Sequence, residues 1–264
     1  MSSLADRGRC GDVLFRCSQC RRDGDVLGPS VCQSTERRVP AFPGSGRAAA
    51  GIRYFKVSPW YLSSTLCIMV FLRADQYAVA SLRGEFELGL YAAAITISQI
   101  SYVLADIIML TSAPKLTRAF HIDPANFRAT LLKSMGAMGL LAVPIAPGFS
   151  ALSELILPAA YGPAYSSAAA VLGVHAFVAI PVYVGYVQQY WYTVNGKMRL
   201  HAFNMFLGAT LVVGLSYGLV SMFGAVGGAW AVLIAQCAVA FVLNMLPLLR
   251  IPESEYVGAS AKRR

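Results

Sequence analysis

The sequence predicts an all-α membrane protein, a bundle of six transmembrane helices preceded by a disordered amino-terminal segment. Three observations predict it. Charged residues make up 13% of the chain and hydrophobic residues 56%, whereas about a quarter of a soluble domain is charged. From Ser58 onward, six apolar stretches each reach the roughly 20 residues that a helix needs to cross a bilayer. Basic residues, finally, concentrate in alternate connections between those stretches.

Residues 1–56 stand apart. They hold ten of the 22 Lys and Arg and five of the 13 Asp and Glu. Their apolar runs are too short for a signal-peptide core, and they show neither helical nor strand periodicity. Such a segment is expected to stay disordered. Its abrupt end at Tyr54–Trp60 gives the alternative expectation of an artefactual extension. Four of the six cysteines fall here: Cys10, Cys17, Cys20 and Cys32. Cys17-Ser-Gln-Cys20 has zinc-knuckle spacing, but the flanking intervals fit no common zinc pattern, so no metal site is expected.

The spans are expected at 59–82, 87–113, 131–152, 165–192, 199–223 and 225–249. Together they form a lobe over 57–250, followed by a cytoplasmic basic tail at 251–264. Open backbone cannot cross lipid, and alternating ten-residue strands are absent from the sequence, so each span must be a helix. Pro144 and Pro147-Gly148 are expected to kink or break the third span, and Pro181 the fourth. Gly214-x-x-x-Gly218 and Gly224-x-x-x-Gly228 have the spacing for close helix contact.

The connections set the orientation. Arg53 and Lys56 precede the first span; Lys115, Arg118, Arg128 and Lys133 surround the second-to-third connection. Lys197 and Arg199 mark the fourth-to-fifth turn, and Arg250, Lys262, Arg263 and Arg264 follow the sixth span. In the alternate connections Arg83 stands against Glu85 and Glu87, 151–164 holds Glu154 alone, and 223–228 has no charge. This alternation places both termini in the cytoplasm.

Polar residues within the spans are the candidate functional groups, because ionisable side chains in a bilayer are costly and rarely ornamental. Arg73 and Asp75 lie two apart on the first span and so on different faces of the helix. On the second span Gln99, Tyr102 and Asp106 are spaced i, i+3, i+7 and form one polar stripe. On the fourth, His175, Tyr186 and Gln189 fall on one face. Each has a structural alternative. Arg73 can be neutralised by Asp106 across helices, and His175 can be a hydrogen-bonded interior residue. Trp60, Tyr165, Trp191 and Tyr192 suit interfacial anchors. Asn204, Gln236 and Asn244 suit contacts between helices, and Cys67 and Cys237 are small core residues. The chain carries no HExxH, GxSxG or phosphate-binding Gly loop, so no enzyme site and no cofactor are expected. No patch interleaves basic and aromatic residues, which argues against nucleic acid.

A family resemblance rests on an ordered set of short patterns. Arg73-Ala-Asp75-Gln76 late in a helix is followed by Gly84, by Glu87-Leu-Gly89-Leu-Tyr91-Ala-Ala and by Pro114-Lys115-Leu116. Tyr161-Gly162-Pro-Ala-Tyr165-x-x-Ala-Ala-x-Val-Leu172 and Asn195-Gly196-Lys197 come later. Over about residues 57–250 this resembles the carboxy-terminal half of the Wzx-type polysaccharide flippases, in the multidrug/oligosaccharidyl-lipid/polysaccharide exporter superfamily. The resemblance implies one lobe of a two-lobed transporter in the cytoplasmic (inner) membrane, with an amino-terminal lobe as partner. It implies alternating-access movement of a polyprenyl-diphosphate-linked oligosaccharide, with membrane lipid around it. The polar residues then have roles in substrate binding. Arg73 would meet the diphosphate, since Arg offers forked donors, and Asp75, Gln76, Gln99, Tyr102 and Asp106 would form a polar wall for sugar hydroxyls. Either carboxylate could serve as a proton or sodium site. The competing functions are a drug or organic-cation antiporter of the same superfamily, which would favour carboxylates and aromatics over a cavity arginine, and a non-transporting membrane scaffold.

Overall fold

Six helices long and apolar enough to cross a membrane make the chain a multi-pass membrane protein. The computed structural model describes residues 45–122 and 126–250. Residues 1–44 and 251–264 lie outside that description, and with them the four amino-terminal cysteines and the expected basic tail. The chain divides after Arg53, and the six spans all belong to the unit that begins at Tyr54. Among the described residues every regular element is helical.

The first two spans are α1, Ser45–Arg83, and α2, Glu85–Ile122; their membrane portions are Pro59–Arg83 and Glu85–Phe120. Residues 45–56 form the opening turns of α1. Gly84 alone separates the two helices, at a φ of 84°, and the Glu87 carboxylate lies 3.8 Å from Arg83 at i, i+4. Acidic Glu85 and Glu87 occupy the first turn of α2, where they complement its positive end.

The third span is α3, Phe127–Ala151. It runs unbroken through Pro144 and Pro147 and stops four residues past Pro147, so the expected break falls later than the prolines. Neighbouring helices and adjacent carbonyls accommodate a proline inside a membrane helix. A nine-residue helix, α4 (Ser153–Tyr161), follows and buries Ser153 and Leu157. The charge-poor connection between the third and fourth spans therefore folds in part as a helix.

The fourth span is composite. A 3₁₀ segment Pro163–Ala168 leads into α5, Ala169–His175; a second 3₁₀ turn, Ala176–Val178, leads into α6, Ala179–Asn195. Pro181 sits in the first turn of α6, where its absent N–H costs nothing, and the irregular turn lies just before it. Lys197 precedes α7, Met198–Phe223, the fifth span. Gly196 closes α6 at a φ of 69°, a left-handed cap that glycine adopts without strain.

The sixth span comprises α8, Ala225–Cys237, a π-helical stretch Ala238–Leu243, and α9, Met245–Arg250. The π stretch widens the ladder, with the Asn244 amide donating to the Val239 carbonyl at 2.9 Å. Polar side chains of other spans cover it: Gln188 donates to the Ala240 carbonyl at 2.7 Å, and Asn204 to the Leu243 carbonyl at 3.0 Å. Asn204 also reaches the Asn244 amide oxygen at 3.0 Å and the Tyr192 hydroxyl at 3.1 Å. Asn204 and Asn244 thus act between helices, as their isolation in sequence suggested.

Three apolar clusters hold the bundle. One, around Phe120, Phe127, Tyr183, Trp191 and Tyr192, joins α2, α3 and α6. A second, around Val79, Tyr91, Ile95, Leu157 and Leu172, lies towards the Gly84 end. The third, around Phe71, Met205, Val232 and Val239, ties α1 to α7 and α8. Glycine allows close approach at Gly227 and Gly228: a Cβ on the first would collide with the Leu219 carbonyl, and one on the second would lie 2.9 Å from the Tyr91 hydroxyl. Gly214 and Gly218 differ from expectation, because a Cβ on either would meet no atom within 4 Å. That pair packs against no helix of this bundle.

Candidate functional site

The six residues expected to bind substrate do not gather in one place: Asp75 is buried, Arg73 and Gln76 lie together on the surface, and of the α2 stripe only Tyr102 lines the inner cleft. Asp75 is the most enclosed. Four residues on from Phe71, it points with Ala78 and Val79 towards the core and is 2% exposed. The Tyr91 hydroxyl donates to its Oδ2 at 2.6 Å, and among the described residues no other side chain bonds the carboxylate. Gly228 leaves the room that the Tyr91 hydroxyl occupies. A carboxylate of the first span, a phenol of the second and a glycine of the sixth therefore meet at one buried point. Tyr91 belongs to the quoted Glu87–Ala93 pattern, but sequence alone did not single out its side chain.

Arg73 faces the other way. It is exposed on the surface of the bundle, where its Nη1 donates to the Gln76 Oε1 at 3.0 Å. A shallow depression of about 360 Å³ surrounds it, lined by Met69, Val70, Tyr77, Val213 and Tyr217. Arg73 lies ten residues before Arg83, hence about 15 Å from that end of the helix at 1.5 Å per residue. That is close to the middle of the Pro59–Arg83 span. The expected alternative of an Arg73–Asp106 pair is not formed among the described residues. Arg73 is bonded to Gln76, and Asp106 lies exposed on α2 beside the Tyr186 phenol.

The third place is a cleft inside the bundle, about 160 Å³ in volume. Five spans contribute to it: Ile68, Phe71 and Leu72 from α1, Tyr102 from α2, Gly185, Tyr186 and Gln189 from α6, His201 and Met205 from α7, and Gln236 from α8. At about 30 Å³ per water in the liquid, it has space for several waters. Among the described residues both ring nitrogens of His201 lack a hydrogen-bond partner, although His201 is 2% exposed. Buried polar groups are nearly always bonded, so these two nitrogens suit water or ligand hydroxyls. The imidazole is stacked on the Tyr192 ring with centroids 4.9 Å apart, which fixes its plane. The space beside Gly185 is open, since a Cβ there would meet nothing within 4 Å.

The polar stripes fare unequally. Tyr102 lines the cleft, and Asp106, one turn along α2, sits outside it beside Tyr186, a lining residue. Gln99 is partly buried on the same helix. On the fourth span Tyr186 and Gln189 do share the cleft, but His175 does not. Its Nδ1 lies 2.9 Å from the Ser98 hydroxyl in a buried contact, the interior role given as its alternative. The 3₁₀ turn Ala176–Val178 explains the difference. It resets the phase of the helix, so an 11-residue interval across it no longer returns to one face. His201 and Gln236 complete the lining; Asn204, three residues on from His201 in α7, is the register signal that could have marked the histidine, whereas Gln236 has only apolar residues three and four positions away.

Among the described residues no cluster of three His, Cys, Asp or Glu could hold a metal ion. No curated protein and no solved structure matches the chain. Residues 43–170 match the model of the polysaccharide biosynthesis protein family, a stretch that runs from before the first span through α4 and into α5. It contains Arg73, Asp75, Gln76, Tyr91, Gln99, Tyr102 and Asp106. Over residues 43–170, just under half of its length, the chain is therefore similar to the polysaccharide biosynthesis protein family.

Proposed function

We propose that this protein is one lobe of an exporter that carries a polyprenyl-diphosphate-linked oligosaccharide across the cytoplasmic membrane. Its role is transport, without chemistry on the sugar. The position of Arg73 carries the proposal. A guanidinium at mid-depth on a lipid-facing surface would cost at least several kcal/mol, so that face of α1 and α7 turns to water or to protein. A second six-helix lobe across an aqueous cavity supplies both. Arg73, steadied by Gln76, then meets the diphosphate with forked donors, and Tyr77 and Tyr217 border the same depression.

The inner cleft adds the groups that sugar hydroxyls need. Tyr102, Gln189, Gln236 and His201 offer donors and acceptors of both kinds, with Gln99 and Asp106 nearby on α2. Asp75 is too enclosed to touch a substrate in this conformation, and its part is to fix the Arg73-bearing helix through Tyr91. A change of conformation that opened the Asp75–Tyr91 contact would expose the carboxylate and make it available to a coupling proton or sodium ion.

The experiment is a chromosomal replacement of Arg73 by Ala in the cell of origin, with Arg73→Lys as companion. Surface polysaccharide is expected to fall at least tenfold in the Ala variant, with partial recovery in the Lys variant and normal protein abundance in the membrane. Wild-type polysaccharide output from Arg73→Ala would remove the arginine from the transport path and the proposal with it.

A further inference from the structure

A groove at the opposite end of α1 from Gly84 has the form of a lipid site. It has a volume of about 700 Å³ and is lined by Trp60, Ser63 and Cys67 of α1 and by Lys197, Arg199, Ala202, Phe203 and Phe206 beside and along α7. The two helices run in the same direction and offer matching faces. Positions 60, 63 and 67 follow i, i+3, i+7, and 199, 202, 203 and 206 follow i, i+3, i+4, i+7. The groove therefore descends about 10 Å from the span ends into the apolar zone. Its walls are aromatic and aliphatic below, and Lys197 and Arg199 of the fourth-to-fifth turn are both among its lining residues.

The mouth is organised. The Arg199 guanidinium lies over the Trp60 ring, 5.1 Å from its centroid, and the Lys197 ammonium lies 6.0 Å from the centroid of the Trp191 ring. Arg199 has no ion-pair partner among the described residues. Tryptophan at a span end marks the level of the headgroups, so the cations stand where lipid phosphates lie and the groove where acyl chains lie. We propose that this groove binds an anionic glycerophospholipid, its phosphate at Arg199 and Lys197 and one acyl chain along Cys67, Phe203 and Phe206. Charge decides the headgroup. With Arg199 and Lys197 both in the lining and no acidic residue among it, the groove favours a lipid without a compensating amine over a zwitterionic one. The site lies on spans 1 and 5 near their amino-terminal ends, away from Arg73, and does not depend on the transport reading.

The test uses the full chain in nanodiscs containing a trace of phosphatidylglycerol or phosphatidylcholine with a photoactivatable diazirine in the acyl chain. Cross-linked peptides are then mapped by mass spectrometry. The expected result is label concentrated on 60–67 and 199–206, with at least a threefold higher yield there for phosphatidylglycerol. Arg199→Gln should bring that yield down to the phosphatidylcholine level, while inorganic phosphate at millimolar concentration leaves it unchanged. Equal yields from the two lipids in the wild-type protein, or label spread evenly over all spans, would overturn the assignment, and these readouts stand even if Arg199→Gln fails to fold. Displacement of the label by a polyprenyl phosphate added in trace amount would give the groove to the carrier lipid instead and overturn it equally.

Discussion

At the scale of single residues, the Asp75–Tyr91 contact is the sharpest structural element of the bundle. The hydroxyl donates at 2.6 Å to a carboxylate that is 2% exposed, and a buried acceptor stripped of its donor costs about 1–3 kcal/mol, more when charged. Tyr91→Phe removes the donor and keeps the ring that packs in the core. Thermal unfolding in detergent micelles should therefore shift down by several degrees, consistent with a loss of about 1–3 kcal/mol. Asp75→Asn keeps an acceptor for Tyr91 and should lose less. An unchanged melting temperature for Tyr91→Phe would mean that the contact does not hold the first two spans together. This pairing was hidden in the sequence because it joins residues on different helices, 16 apart and in no common register. The Gln99, Tyr102 and Asp106 spacing was legible because it lies within one uninterrupted helix.

At the scale of elements, regularity decides what sequence periodicity can reveal. α2 and α7 are uninterrupted, and their spans agree with expectation to within a few residues except where α2 runs on to Ile122. The fourth and sixth spans contain 3₁₀ and π segments, and there the phase inferred from a 3.6-residue period is lost. His175 was misassigned to the Tyr186 face for that reason. The π stretch of the sixth span carries its own prediction. Gln188 and Asn204 hold the carbonyls of Ala240 and Leu243, and π turns are rare and marginal without such support. Gln188→Leu and Asn204→Leu should each raise amide hydrogen exchange over 238–248 at least tenfold, while exchange in α3 stays as in the wild type. Protection at wild-type levels in both variants would mean that packing alone maintains the π geometry.

At the scale of the whole molecule, the two ends of the bundle differ in charge, and this carries a prediction about its direction in the membrane. Gly84 and Gly224 mark turns at one end, with Arg83, Glu85, Glu87 and, by helix direction, Glu154 nearby. The Arg83 side chain lies against the Gly224 turn, within 2.7 Å of where a Cβ would stand. The other end gathers Lys115, Arg118, Arg128, Lys197, Arg199 and Arg250, and Arg128 ties the third span to the sixth by donating to the Leu249 carbonyl at 3.2 Å. Translocation retains basic connections on the cytoplasmic side, so the Arg128 end should face the cytoplasm and the Gly84 end the opposite compartment. Single cysteines in a cysteine-free background check this in intact cells. A cysteine at Glu87 or Glu154 should react with a membrane-impermeant maleimide, and one at Lys133 or Arg250 should react only after permeabilisation. The reverse pattern would invert the protein, and with it the leaflet from which Arg73 could collect a lipid-linked anion. A mixed pattern, with Glu87 and Glu154 on different sides, would break the six-crossing topology itself. Because Arg73 and the groove beside Trp60 lie at different depths of α1, this one measurement orients both in the membrane.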